Sequence, residues 1–181
     1  YFPTRRSSDL QTILQNNNPV IHPAVTILNA ALIERTGGNF LFYEDGVTSS
    51  VGRLIKAVDD EKIMVAKNLG VEILPDTVLG VMQGYMTEAS YEQGYQTAPG
   101  FLGIRAQKKL DHRYLNEDVG YGLVFYTDIA KAIGVETPVM DSVIRIASII
   151  MDRDYVSEQA RTLDSIGLGG MSSDQLKKIF D

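Results

Sequence analysis

Residues 16–34, "NNNPVIHPAVTILNAALIE", decide how the rest of the chain is read. From Pro19 onward, apolar residues recur at three- and four-residue intervals rather than alternating, which is the period of a helix and not of a strand. Pro23 suits a first helical turn, where its missing N–H has no bond to lose. Val25, Leu28, Ala31 and Leu32 then share one face until Gly37-Gly38 ends the run. The stretch also holds His22, one of only two histidines in 181 residues. A histidine at a helix mouth has two readings. It satisfies a nearby backbone carbonyl, or a proline-bracketed helix start holds its ring rigidly toward a cleft, where imidazole can move a proton near neutral pH.

The same period continues outward. Thr48 or Ser49 can cap a second helix, with Val51, Leu54, Ile55, Val58, Val65 and Leu69 facing inward and Gly70 as its stop. Between the two, "NFLFYEDG" is short, aromatic and turn-bounded, and reads as a brief strand or an irregular loop. A helix near 76–89 is followed by a glycine- and aromatic-rich loop. Val119, Leu123, Tyr126, Ala130 and Ile133 line a helix from Asn116 to Gly134. In "TPVMDSVIRIASIIM" Thr137 is the expected N-cap and Pro138 the first turn, with Val139, Val143, Ile146 and Ile150 inward. Ser172 and Gln175 form a capping box before Leu176, Ile179 and Phe180. The fold class is all-α: one multi-helix domain over residues 11–181. Residues 1–10, "YFPTRRSSDL", read as a non-native scar and are excluded from it.

Composition removes several functions. The net charge is −6 with basic residues scattered, which argues against a nucleic-acid surface. There is no cysteine, and the two histidines lie far apart, so neither disulfides nor a protein-held metal site is expected. No apolar run approaches the roughly 20 residues that cross a bilayer, and the expected location is the cytoplasm. A dinucleotide fold needs an apolar strand running into GxGxxG at a helix start. "GLGGMS" at 167–172 lacks the last glycine and any such strand, and "GYG" at 120–122 falls inside a helical pattern.

Three blocks add a further step: "NNPVIHPAVTILNAALIE", "HRYLNEDVGYGLVFYTDIAKAIGVETPVMDSVIRIASIIMDRDY" and "RTLDSIGL". In this order they resemble the C-terminal helical substrate domain of the octopine/nopaline (opine) dehydrogenase family, from about Asn16 to Leu168. The resemblance implies a substrate and dimerisation domain of the 6-phosphogluconate-dehydrogenase C-terminal-like type. In the family it follows a Rossmann domain that this stretch does not contain, and that domain supplies most of the NAD or NADP site. The implied activity is NAD(P)H-dependent reductive condensation of a 2-keto acid with an amino acid, by a fragment inactive alone. Its partners would be those two small molecules, with a homodimer left open.

The resemblance assigns roles residue by residue. His22 matches the catalytic histidine. Asp118, otherwise a carboxylate placed to complement a helix dipole, matches the aspartate that orients it. Arg113, otherwise an exposed loop residue, matches a binder of the keto-acid carboxylate or the cofactor pyrophosphate. Asn18, otherwise a turn residue before Pro19, matches an asparagine near the active site. Glu117 reads as solvated and His112 as surface. Two other readings stand beside this one. A ketopantoate-reductase or glycerol-3-phosphate-dehydrogenase relative would use a lysine, but Lys56, Lys62 and Lys67 read as solvated. A non-catalytic dimerisation module would leave His22 and Asp118 far apart.

Overall fold

The computed structural model describes residues 11–180, and the expectation for residues 1–10 lies outside them. The chain runs through α1 (Asn18–Leu28), α2 (Ala30–Thr36), α3 (Ser49–Asn68), α4 (Asp76–Met82) and the short α5 (Gln93–Gln96). A helical turn α6 (Arg113–Asn116), a π-helical segment (Asp118–Leu123) and α7 (Val124–Ala132) follow almost without a break. Then come α8 (Pro138–Ile150), α9 (Tyr155–Glu158), a 3₁₀ turn (Asp164–Ile166) and α10 (Ser173–Phe180). Among the described residues strand pairing is limited to one antiparallel bridge, Leu41 to Arg105. The segment 39–46 is therefore the irregular loop of the two expected alternatives. The protein is all-α. No helix among the described residues is long and apolar enough to cross a membrane.

α1 is central, packed against α3, the π segment, α6 and α8. Its boundaries differ from those expected. Pro19, not Pro23, occupies the first turn, and Pro23 lies inside the helix. The side-chain amide of Asn29 donates to the carbonyls of Val25 and Gly46, both at 2.9 Å, and ends α1 where a longer helix was expected. The earlier start and the break at Asn29 reset the inward face. Val20, Ile21, Ala24, Val25 and, after the break, Ile33 are buried, whereas Leu28, Ala31 and Leu32 are exposed. The helix expected over 76–89 stops at Met82.

Two contacts fix the neighbours of α1. A Cβ added at Gly122 would lie 2.4 Å from Pro19 Cγ, so only glycine lets the π segment meet the start of α1 this closely. α8 is capped from outside itself. Thr137 makes no side-chain cap bond, and the backbone N–H groups of Val139 and Met140 each donate to the Glu61 carboxylate of α3 at 2.8 Å. The buried stripe of α8 is Met140, Val143, Ile144 and Ala147, which leaves the expected Ile146 and Ile150 exposed. Thr48 precedes α3 without a side-chain cap bond. The capping box is present: Ser172 N–H donates to Gln175 Oε1 at 2.8 Å and Gln175 N–H to Ser172 Oγ at 3.2 Å. Leu176 behind it is buried, and the side chain of Phe180 lies outside the described residues.

Candidate active site

His22 sits in the second turn of α1, on the face that meets the π segment, and Asp118 is the first residue of that segment. They are 96 positions apart in sequence, yet His22 Nδ1 lies 2.8 Å from Asp118 Oδ2, with His22 only 7% and Asp118 only 6% exposed. π-Helical segments widen a helix by one residue per turn and occur frequently at functional sites. Here the segment begins at the carboxylate that faces the histidine.

The rest of the ring is also held. Tyr114 stacks on its face with centroids 3.8 Å apart, and Phe42 meets it edge-on at 5.9 Å. The Tyr43 hydroxyl lies 3.1 Å from Nε2. Burial, reinforced by the charges of Asp76 and Asp118 and by the Tyr114 hydroxyl, pushes the Tyr43 phenol well above its ordinary range, so it keeps its proton. A carboxylate can only accept, so the hydrogen-bond network assigns the ring proton to Nδ1 and leaves the Nε2 lone pair to accept from Tyr43. Imidazole, carboxylate and phenol thus form one buried chain. A group that exchanges protons at Nε2, with its tautomer fixed from Nδ1, is equipped for general acid–base work. The module without chemistry required His22 and Asp118 to lie apart, and they do not.

The other expected site residues stand further out. Arg113 begins α6 rather than a loop, and its guanidinium is exposed, 3.4 Å from the equally exposed Glu117 carboxylate. Such a surface pair contributes little and leaves the cation able to change partners. Asn18 is exposed at the start of α1, four residues before His22, on the wall of a cleft. His112 is the N-cap of α6, its Nδ1 accepting the Tyr114 N–H at 3.4 Å, and is partly buried rather than free surface.

A second buried polar cluster lies beside this site, and it corrects the reading of α3. Lys56 and Lys67 are exposed, but Lys62 is fully buried. Its ammonium lies 2.8 Å from Asp59 Oδ1 and donates to Asn17 Oδ1, which precedes α1. Asp59 Oδ2 accepts the Tyr91 hydroxyl at 2.6 Å and the Asp76 N–H at 2.8 Å. The Asp76 carboxylate accepts the Tyr95 hydroxyl. Tyr95 in turn stacks 6.3 Å from Tyr43, so the cluster and the histidine chain share a wall. Burial raises the Asp76 carboxyl to about 7, with Lys62 opposing that rise and Asp59 adding to it. Among the described residues, no group of three or more acidic or histidine side chains could hold a metal ion.

With the geometry in place, the chain can be set beside known proteins. Residues 5–151 match the family model for the alpha-helical domain of NAD/NADP octopine/nopaline dehydrogenases. An opine dehydrogenase of Arthrobacter sp. (strain 1C) is 37% identical over 165 residues, which are 91% of this chain and 45% of that protein. Protein ocs of Agrobacterium tumefaciens (strain Ach5) is 33% identical over 168 residues, 92% of this chain and 46% of that one. Among solved structures, octopine dehydrogenase with NADH and L-arginine superposes with a TM-score of 0.68 at 19% identity, covering 90% of this chain and 50% of that one. Octopine dehydrogenase with NADH and agmatine gives 0.66 at 17% identity. These two show that the fold is shared. The chain spans about half the length of the curated relatives it matches.

Proposed function

The chain belongs to the octopine/nopaline dehydrogenase family, and from that premise we propose that it carries the proton-transfer machinery of an NAD(P)H-dependent opine dehydrogenase. The reaction joins the amino group of an amino acid to the carbonyl of a 2-keto acid such as pyruvate, with loss of water. The resulting C=N bond is then reduced to a secondary amine. The observation that carries this reading is the 2.8 Å contact between the buried His22 and Asp118.

The nicotinamide, when bound, supplies the hydride. Among the described residues no strand runs into a glycine-rich helix start, so no pyrophosphate cradle is assigned to them. The steps left to this chain are proton steps. Protonated His22 gives its proton to the hydroxyl that leaves as water, and neutral His22 can take a proton back, in both cases through Nε2. Asp118 holds the opposite ring nitrogen and stabilises the imidazolium form. The Tyr43 hydroxyl, at Nε2, relays that proton or yields its place to the substrate. Arg113, weakly engaged at the surface, binds a carboxylate or phosphate anion from the other side of the active-site cleft. Asn18, one helical turn from His22, supplies an amide to the substrate.

The test uses the full-length protein that carries this chain. His22→Ala should lower kcat by about 10²–10⁴, the scale of a lost general acid–base group, and remove one limb of the pH profile. Asp118→Asn should give a smaller loss with a displaced profile. If His22→Ala raises only a Michaelis constant and leaves the pH profile intact, the histidine binds rather than transfers protons.

A further inference from the structure

The hydrogen bonds at His22 fix its two ring nitrogens but not the tilt of the ring. Asp118 lies 2.8 Å from Nδ1 and the Tyr43 hydroxyl 3.1 Å from Nε2. The outer side-chain torsion of histidine has only a broad, roughly two-fold preference, so a ring held at its edge can still rock about that bond. What opposes rocking is contact with the ring faces. Phe42 meets the imidazole edge-on, at 5.9 Å and 69°, whereas Tyr114 lies nearly parallel to it, 3.8 Å away and tilted by 22°. Tyr114 is the flat support against which the imidazole rests.

That support is itself braced. Tyr114 is the second residue of α6, and its ring is met by Phe42 at 4.9 Å and edge-on by His112 at 4.6 Å. His112 also caps α6, its Nδ1 accepting the Tyr114 N–H. One residue thus sets the start of the turn and backs the ring that the turn presents. Burial raises the Tyr114 phenol, with Arg113 opposing and Asp118 adding to the rise, so it stays neutral and its ring keeps an electron-rich face. A cation within about 6 Å of such a face is attracted by the ring quadrupole. A tyrosine stacked on His22 therefore favours imidazolium over neutral imidazole, in the same sense as the Asp118 carboxylate at the ring edge.

We propose that Tyr114 is a positioning residue for His22, its ring face holding the imidazole between Asp118 and Tyr43 and favouring the protonated ring. This rests on the reading of His22 as the proton-transfer group. The titratable groups facing the histidine are Asp118 from the π segment, Tyr43 from the loop after α2 and Tyr114 from α6, with His112 beside Tyr114. Tyr114 acts through the histidine, so its substitution should move the proton step and spare binding.

Three substitutions at position 114 of the full-length protein test the proposal, read against the limb of the pH profile that His22→Ala removes. Tyr114→Phe keeps the ring and its face, and should leave kcat within about threefold and the limb within about 0.3 pH unit of the parent. Pentafluorophenylalanine at the same position keeps the shape but withdraws electrons from the face. The protonated ring then loses its partner, and the limb should move about one pH unit toward acid. Tyr114→Leu removes the support and should lower kcat roughly 10- to 100-fold, with the Michaelis constants changed less. Proton NMR titration of the His22 ring, without substrate, should move in step with the limb. Tyr114→Phe as damaging as Tyr114→Leu, or a pentafluorophenylalanine profile that coincides with that of Tyr114→Phe, overturns the assignment of Tyr114 and leaves the reading of His22 intact. If His22→Ala instead keeps both turnover and the limb, the proton-transfer reading falls, and the NMR titration alone decides whether Tyr114 favours the protonated ring.

Discussion

Replacing Lys62 by methionine keeps an unbranched stem of similar length and removes only the ammonium. In the native chain that ammonium and Asp59 both have fully buried side chains, 2.8 Å apart, and the ammonium also donates to Asn17 at the mouth of the His22 helix. Taking away one member of a buried pair leaves the other charge uncompensated, at a cost of about 3–5 kcal/mol. Asp59 keeps Tyr91 and the Asp76 N–H as donors, which places the loss toward the lower end of that range. For a chain of this size it corresponds to a fall in Tm of about 10 °C. The control is Lys62→Met combined with Asp59→Asn. The carbonyl of the introduced amide can still accept from Tyr91 and Asp76, and no buried charge is left without its partner. The double variant should therefore recover about half of the loss or more, giving a coupling energy of about 2 kcal/mol between the two positions. Urea unfolding followed by circular dichroism measures all three variants and the parent. A Lys62→Met loss below about 1 kcal/mol, or losses that simply add in the double variant, would refute the claim that a buried ion pair anchors this end of α1.

Three further outcomes are expected. Gly122→Ala forces a Cβ to within 2.4 Å of Pro19 Cγ, so it should cost about 1–3 kcal/mol in urea unfolding and lower turnover by moving α1 away from Asp118. Glu61→Ala leaves the backbone N–H groups of Val139 and Met140 without their acceptor and should destabilise by about 1–3 kcal/mol, with the loss of amide protection in exchange experiments concentrated at the start of α8. Asp76 holds its proton up to about pH 7 in the folded chain against 3.8 ordinarily, so the folded state binds the extra proton. Its contribution should make stability fall by about 4 kcal/mol as pH rises from 4 to 7 and stay level above that, and Asp76→Asn should remove this slope from the pH–stability curve.

The features of the fold that were legible in the sequence are local ones. The 3.6-residue period of α3, the glycine stop at Gly70 and the capping box at Ser172–Gln175 depend on neighbours within one or two turns, and they can be read from spacing alone. What was not legible depends on contacts made across the chain. Thr137 looks like an N-cap in isolation, but Glu61, 78 positions away from Val139, reaches the same backbone groups. Leu28 and Leu32 look inward until Asn29 donates to Gly46 and ends the helix. His22 and Asp118 could be singled out from the chemistry of their residue types together with a family resemblance, whereas nothing in the sequence marks Tyr43, in the aromatic loop, or Tyr114, inside the second block of that resemblance, as the groups that complete the ring's surroundings.

The solvated reading of Lys62 fails although the signal for its burial is present in the sequence. Val51, Ile55, Val58, Val65 and Leu69 step along α3 by four, three, seven and four residues, and the gap of seven leaves an inward slot at position 62. A stripe of that regularity predicts that whatever fills the slot is buried, and charge alone does not send a side chain to solvent when a partner stands three residues earlier on the same face. Asp59 is that partner. A lysine in the slot of an apolar stripe, preceded by an aspartate at i−3, is thus better read as a buried ion pair than as a solvated face. In this chain that pair does more than neutralise itself: by holding Asn17 and Asp76 together it fixes one wall of the cleft that Asn18 also lines.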